Sequence, residues 1–213
     1  MVGSLDLELK EKNFRVAIFG SARIEKDDSV YNEVYSLARL ISEAGMDIIT
    51  GGGPGLMDAA SAGHFDGRKD ERAHSVGLRI RLPKEESEAI HLNVKKEFNL
   101  FSNRLESFMQ LSKVVVVAPG GVGTMLELYY TWQLLQVKKI IGIPIILFGE
   151  MWVDLLEWIK KWQLDTNLIS AKDLKLLFIA KNFREAFMII RQAYEHFLEG
   201  KNDFSTVYGK NKP

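Results

Sequence analysis

With 213 residues, 46% of them apolar, the sequence is long enough for one α/β domain with a full core. Its 28 basic and 28 acidic residues cancel, which removes any general attraction to nucleic acid or anionic lipid, so an anionic ligand has to be held locally by a few placed groups. Cysteine is absent, which excludes disulfides, thiolate metal sites and a cysteine nucleophile.

Along the chain, residues 1–13 read as an N-terminal extension. They mix acidic, basic and apolar side chains and lack the apolar core of a signal peptide. Apolar runs such as 140–148 are too short to span a bilayer, so no membrane partner is expected and the cytoplasm is the default location. A β-branched run predicts a first buried strand over 15–19, followed by Gly20-Ser21 and a helical pattern over 31–43. A second strand over 46–50 leads through Gly51-Gly52-Gly53-Pro54-Gly55 into a helix over 56–65. A strand over 75–80 comes next, and the charged stretch 83–97 after it fits neither period. The helix 103–111 and strand 114–118 lead into Pro119-Gly120-Gly121-Val122-Gly123-Thr124 and a helix over 124–137. A strand over 144–148, a helix over 152–162, a strand over 176–180 and a helix over 183–198 complete the pattern, and the polar tail 200–213 is expected to fray. Strands alternating with helices imply right-handed βαβ units, hence a single α/β domain over 14–199 with a mostly parallel sheet flanked by helices.

In such a sheet the loops leaving the carboxyl ends of the strands form one rim, and ligands bind there beside helix N-termini. Gly20 and Ser21, then Gly51, Gly52 and Gly53, then Gly120, Gly121, Gly123 and Thr124 lie on those loops and are the candidate phosphate- and nucleotide-binding residues. No G-x-x-x-x-G-K-[ST] occurs, and Leu56 and Leu126 stand where G-x-G-x-x-G requires its last glycine, so P-loop and dinucleotide readings are weak. Glu127 follows the third loop on the same rim. It reads either as the acidic half of a capping box with Thr124 or as a carboxylate facing the ligand. Arg104 sits near the start of its helix, where the dipole disfavours a cation. An anion nearby explains it, whether a bound ligand or a salt-bridge partner such as Glu97 or Glu106. His64, His74, His91 and His196 show no ligand spacing, so no metal and no other cofactor is expected. The aromatic cluster Tyr129, Tyr130 and Trp132 fits burial in the monomer core or a subunit interface.

Gly51-Gly52-Gly53 with Gly55-Leu56-Met57, and above all Pro119 to Glu127 as P-G-G-V-G-T-M-L-E, resemble the G-G-G-x-x-G-L-M and P-G-G-x-G-T-x-x-E elements of the LONELY GUY (LOG) family. Arg104, 15 residues before Pro119, stands at the spacing of that family's catalytic arginine, and the resemblance runs roughly from Phe14 to Trp152, closest to the longer bacterial members. It implies a Rossmann-like three-layer fold, a homodimer or larger homo-oligomer, and hydrolysis of a nucleoside 5′-monophosphate to free adenine or cytokinin and ribose 5-phosphate. Arg104 and Glu127 would be catalytic. The sequence departs from the family at Leu105 and Leu126, where Lys and Glu are usual. The alternative is a non-hydrolytic carrier of a nucleotide or of the molybdenum cofactor on the same fold. A pyridoxal-dependent lysine decarboxylase, a label often given to the family, finds no marked Schiff-base lysine here.

Overall fold

Short β-branched runs with alternating apolar faces build the centre of the molecule. The computed structural model describes residues 13–70, 72–81 and 89–201. Residues 1–12, 71, 82–88 and 202–213 lie outside them, and with them the first part of the unassigned charged stretch 83–97 and nearly all of the polar tail. Among the described residues the strands are β1 (Arg15–Phe19), β2 (Asp47–Thr50), β3 (Ser75–Ile80), β4 (Val94–Phe98), β5 (Val114–Val117), β6 (Ile145–Phe148) and β7 (Leu177–Ala180). They form one sheet in the order β4-β3-β2-β1-β5-β6-β7, and every pairing is parallel, so the mostly parallel expectation becomes a wholly parallel sheet.

Both faces are covered, as a parallel sheet requires. Val16 and Ile18 of β1, with Val114 and Val116 of β5, pack under α1 (Ser29–Glu43), α2 (Leu56–Gly67) and α7 (Phe183–Leu198). Ala17 and Phe19, with Val115 and Val117, face α3 (Phe101–Leu111), α4 (Val122–Gln136) and α5 (Met151–Ile159). Trp132 belongs to this second core and donates its indole N–H to the Asp173 carbonyl at 3.0 Å, while Tyr130 donates to Glu106 at 2.7 Å. The aromatic cluster is therefore tied into the monomer.

Three sequence expectations change. β4 occupies part of the unassigned stretch 83–97, pairing with β3 from Val76↔Val94 to Ile80↔Phe98. The helix expected over 152–162 becomes α5 followed by a π-helical turn (Lys160–Leu164), and a four-residue α6 (Ala171–Leu174), closed by a Ser170–Asp173 capping box, precedes β7. The helix expected from 124 starts at Val122, capped by Gly121 with no side-chain bond, so the Thr124–Glu127 capping box does not form.

His64 on α2 is fully buried, with Nε2 3.0 Å from the Met46 carbonyl. The carbonyl can only accept, so Nε2 carries the proton of a neutral ring. Burial pushes its pKa down to about 4. A histidine whose folded pKa lies below its unfolded value contributes stability that is complete above about pH 6.5 and is lost as pH falls toward 4. Urea unfolding of wild type and His64→Gln should show the wild-type advantage shrinking by roughly 3 kcal/mol between pH 7 and pH 4. A difference independent of pH would reject the assignment.

Candidate active site

The strand order places a topological switch at β1, whose neighbours β2 and β5 lead the chain away in opposite directions. Ligands of open parallel sheets bind in the crevice that such a switch opens. Here the loops after β1, β2 and β5 are laced together by backbone bonds: Ser21 N–H donates to the Pro119 carbonyl at 3.0 Å, and Leu56 N–H to the Ser21 carbonyl at 2.9 Å. Glycine is required at the second junction. Gly55 has φ +67°, and a Cβ there would stand 2.4 Å from the Ser21 carbonyl oxygen.

Above this junction lies a cleft of about 530 Å³. Gly20, Ser21, Gly51, Gly121, Gly123, Thr124, Arg104 and Glu127 all line it, so most of the residues singled out from the sequence meet in one place. Gly52, Gly53 and Gly120 do not line it. Gly52 turns the chain at φ +70° and gives its N–H to Thr50 Oγ1 at 3.1 Å, while Gly120 lies against the Thr124 side chain. The sequence reading overlooked Arg23, Met57, Ile80, Phe101 and Val122, which also line the cleft. Arg23 follows Gly20-Ser21 so closely that the loop itself was the available signal.

Arg104 and Glu127 are 8% exposed each and form an ion pair, Arg104 Nη1 to Glu127 Oε1, of 3.2 Å. Arg104 Nε donates to the Leu78 carbonyl at 2.7 Å, and its guanidinium lies 5.2 Å from the centre of the Phe108 ring. Glu97 and Glu106, the other possible partners, bind Arg81 and Tyr130 instead. The anion that accounts for a cation near the start of α3 is thus Glu127, on the second turn of α4. Burial pushes the Glu127 carboxyl up to about 7, and the Arg104 charge holds it from rising further. A carboxylate balanced near neutrality can hold or release a proton at working pH.

Beside the pair, the start of α4 is open to ligand. The first N–H groups of a helix have no acceptor within it, and they carry the positive end of the dipole. A Cβ at Gly121 or Gly123 would meet nothing within 4 Å, so these glycines keep the approach clear. A larger, more open hollow of about 880 Å³ adjoins the cleft across Ala22 and Arg23, with Tyr31 donating to Asp58 at 2.9 Å in its wall.

Fold and site together define a Rossmann-like α/β protein with an open cleft at the β1/β5 switch. Residues 40–190 match the family described as possible lysine decarboxylase, the LOG family, and the chain belongs to it. The cleft wall contains no lysine among the described residues, and Lys113 precedes β5 on an exposed turn away from it. Among the described residues, the family's descriptive label has no lysine in this cleft to serve as a Schiff base.

Solved structures share the fold. The molybdenum cofactor binding protein of the phototrophic bacterium Rippkaea orientalis is 20% identical, with 87% of this chain and 99% of that one covered and a TM-score of 0.63. The protein TM1055 is 24% identical over 84% and 99%, also at 0.63. The molybdenum cofactor carrier protein of Chlamydomonas reinhardtii is 17% identical over 86% and 99%, again at 0.63. No functionally curated protein matches the chain. No helix among the described residues is long and apolar enough to cross a membrane, and no group of three His, Asp or Glu side chains there could hold a metal ion.

Proposed function

We propose that the chain hydrolyses the N-glycosidic bond of a purine nucleoside 5′-monophosphate, AMP-like or a cytokinin nucleotide, to free base and ribose 5-phosphate. The observation that carries this reading is the buried Arg104–Glu127 pair in the wall of a cleft that also receives the open start of α4. Burying charge is costly, and an ionisable pair withdrawn from water in a cleft wall is an arrangement by which active sites tune proton affinity.

The 5′-phosphate binds the N–H groups at the start of α4 and the Thr124 hydroxyl, and so fixes the sugar. As the C1′–N bond breaks, positive charge develops on the sugar, and the Glu127 carboxylate stabilises it. Water adds to C1′, one of its protons passes to Glu127 or solvent, and the base leaves with a proton taken up at its nitrogen. Arg104 keeps Glu127 ionised and oriented.

The test is a panel of nucleoside 5′-monophosphates incubated with purified protein, with free base quantified by chromatography and the unphosphorylated nucleosides alongside. Base from AMP, and little from adenosine, is expected. Binding without any base release would leave the carrier reading, which the molybdenum-cofactor proteins among the similar folds favour.

Gly123 offers a separate check. It sits in α4 with a conformation open to any residue and with free space around it, so Gly123→Ala should stabilise the unliganded protein by about 0.5–1 kcal/mol through helix propensity. The same methyl should weaken nucleotide binding, read by titration calorimetry with AMP. Stabilisation with unchanged affinity would remove Gly123 from the phosphate site.

A further inference from the structure

We propose that Gly51 is a positioning residue: its missing side chain is the clearance that lets the Arg104 guanidinium reach Glu127. The effect on turnover rests on the hydrolase reading; the effect on the ion pair does not.

The glycines of the two loops serve different needs. Gly51 is buried and its φ lies outside the left-handed region, so its backbone would accept any residue. What it cannot accept is volume. A Cβ at 51 would stand 2.6 Å from Arg104 Nη2 and 2.6 Å from Met57 Sδ, well inside van der Waals contact. Gly52 and Gly55, in contrast, have positive φ, and Gly121 and Gly123 face open space. The first glycine of the triplet is therefore shaped by the side chain behind it.

Arg104 has little freedom to absorb an intruding methyl group. Nε is fixed on the Leu78 carbonyl at 2.7 Å, the ring of Phe108 lies 5.2 Å from the guanidinium, and Nη1 holds Glu127 at 3.2 Å. Of the two polar contacts the one to Glu127 is the longer, 3.2 Å against 2.7 Å at Leu78, and it lies on the terminal fork that the methyl would meet, so displacement of Nη2 swings the fork away from Glu127. Both atoms that the methyl would meet are the ends of flexible side chains rather than backbone, so the sheet and loops survive the substitution.

The experiment is Gly51→Ala, with the Glu127 carboxyl titrated by carbon NMR in the ligand-free protein and turnover of AMP followed against pH. Loss of the neighbouring positive charge should move the Glu127 titration up by about one pH unit. Turnover at neutral pH should fall about fivefold with KM nearly unchanged, since the loss follows the ionised fraction of Glu127. In an Arg104→Ala background the added methyl should change neither quantity, because nothing is left for it to displace. A wild-type titration and wild-type turnover in Gly51→Ala would mean that Met57 alone gives way, and the proposal fails. A raised KM with an unchanged titration would also overturn it and return Gly51 to ligand contact. Should Gly51→Ala not fold, normal folding of the double variant would locate the clash at Arg104, and failure of both would overturn the idea. If wild type releases no base from any nucleotide, the hydrolase reading fails, while the titration still decides the role of Gly51.

Discussion

Glu127→Gln is expected to lower turnover by about two to three orders of magnitude while leaving nucleotide affinity nearly intact. The amide keeps the size and the polarity of the carboxyl, so the cleft and the start of α4 stay as they are. It lacks the charge that meets the developing oxocarbenium, and it cannot take a proton from water. The wild-type rate should also rise with pH through about 7, because the ionised carboxylate is the working form and burial holds its pKa there. Single-turnover rates and AMP titrations on the same preparations separate the two quantities. Turnover close to wild type would reduce Glu127 to a structural partner of Arg104.

Arg104→Ala is expected to cost about a hundredfold in turnover at pH 7 and to do so with a pH signature. Removal of the guanidinium leaves burial unopposed, so the Glu127 pKa climbs above its present value of about 7 and the rising limb of the rate profile moves to higher pH. Part of the loss should then be recovered at pH 9. Stability moves the opposite way. A carboxyl whose folded pKa exceeds its unfolded value favours the folded state while protonated, and that contribution disappears as pH rises through the folded pKa. The variant should therefore lose more melting temperature, relative to wild type, at pH 9 than at pH 6. Arg104→Lys should restore charge without the planar fork and fall between the two. A pH profile superimposable on wild type would show that Arg104 does not govern Glu127.

Much of this arrangement was legible in the sequence, and the reasons for the exceptions are physical. β1, β2, β3, β5, β6 and β7 announced themselves because strands buried on both faces are predominantly apolar, with polar residues mainly near their ends. β4 did not, because V-K-K-E-F carries three exposed charged residues and has only one buried position, Val94. α6 is too short to show a period. The start of α4 was hidden by Gly121-Val122-Gly123, which reads as loop although the helix already runs through it. Arg104 and Glu127 were found from their helix positions and loop spacing as candidate partners on one rim, but their direct ion pair was not, since it depends on how α3 and α4 lie side by side on one face of the sheet. The glycines were the hardest to apportion. A sequence marks where a side chain is missing without saying whether the space belongs to a turn, to a ligand or, as at Gly51, to another residue of the protein.

The charges that concealed β4 also have a meaning for the solution behaviour of the molecule. β4 ends the sheet, so its outer side is a natural template for further strands, and Lys95, Lys96 and Glu97 hold that margin in water. Charged edge strands resist pairing between molecules, and lysines serve this purpose in many sheets. Among the described residues the seven-stranded sheet ends at this charged strand, a margin whose side chains disfavour the edge-to-edge pairing that would join one molecule's sheet to the next.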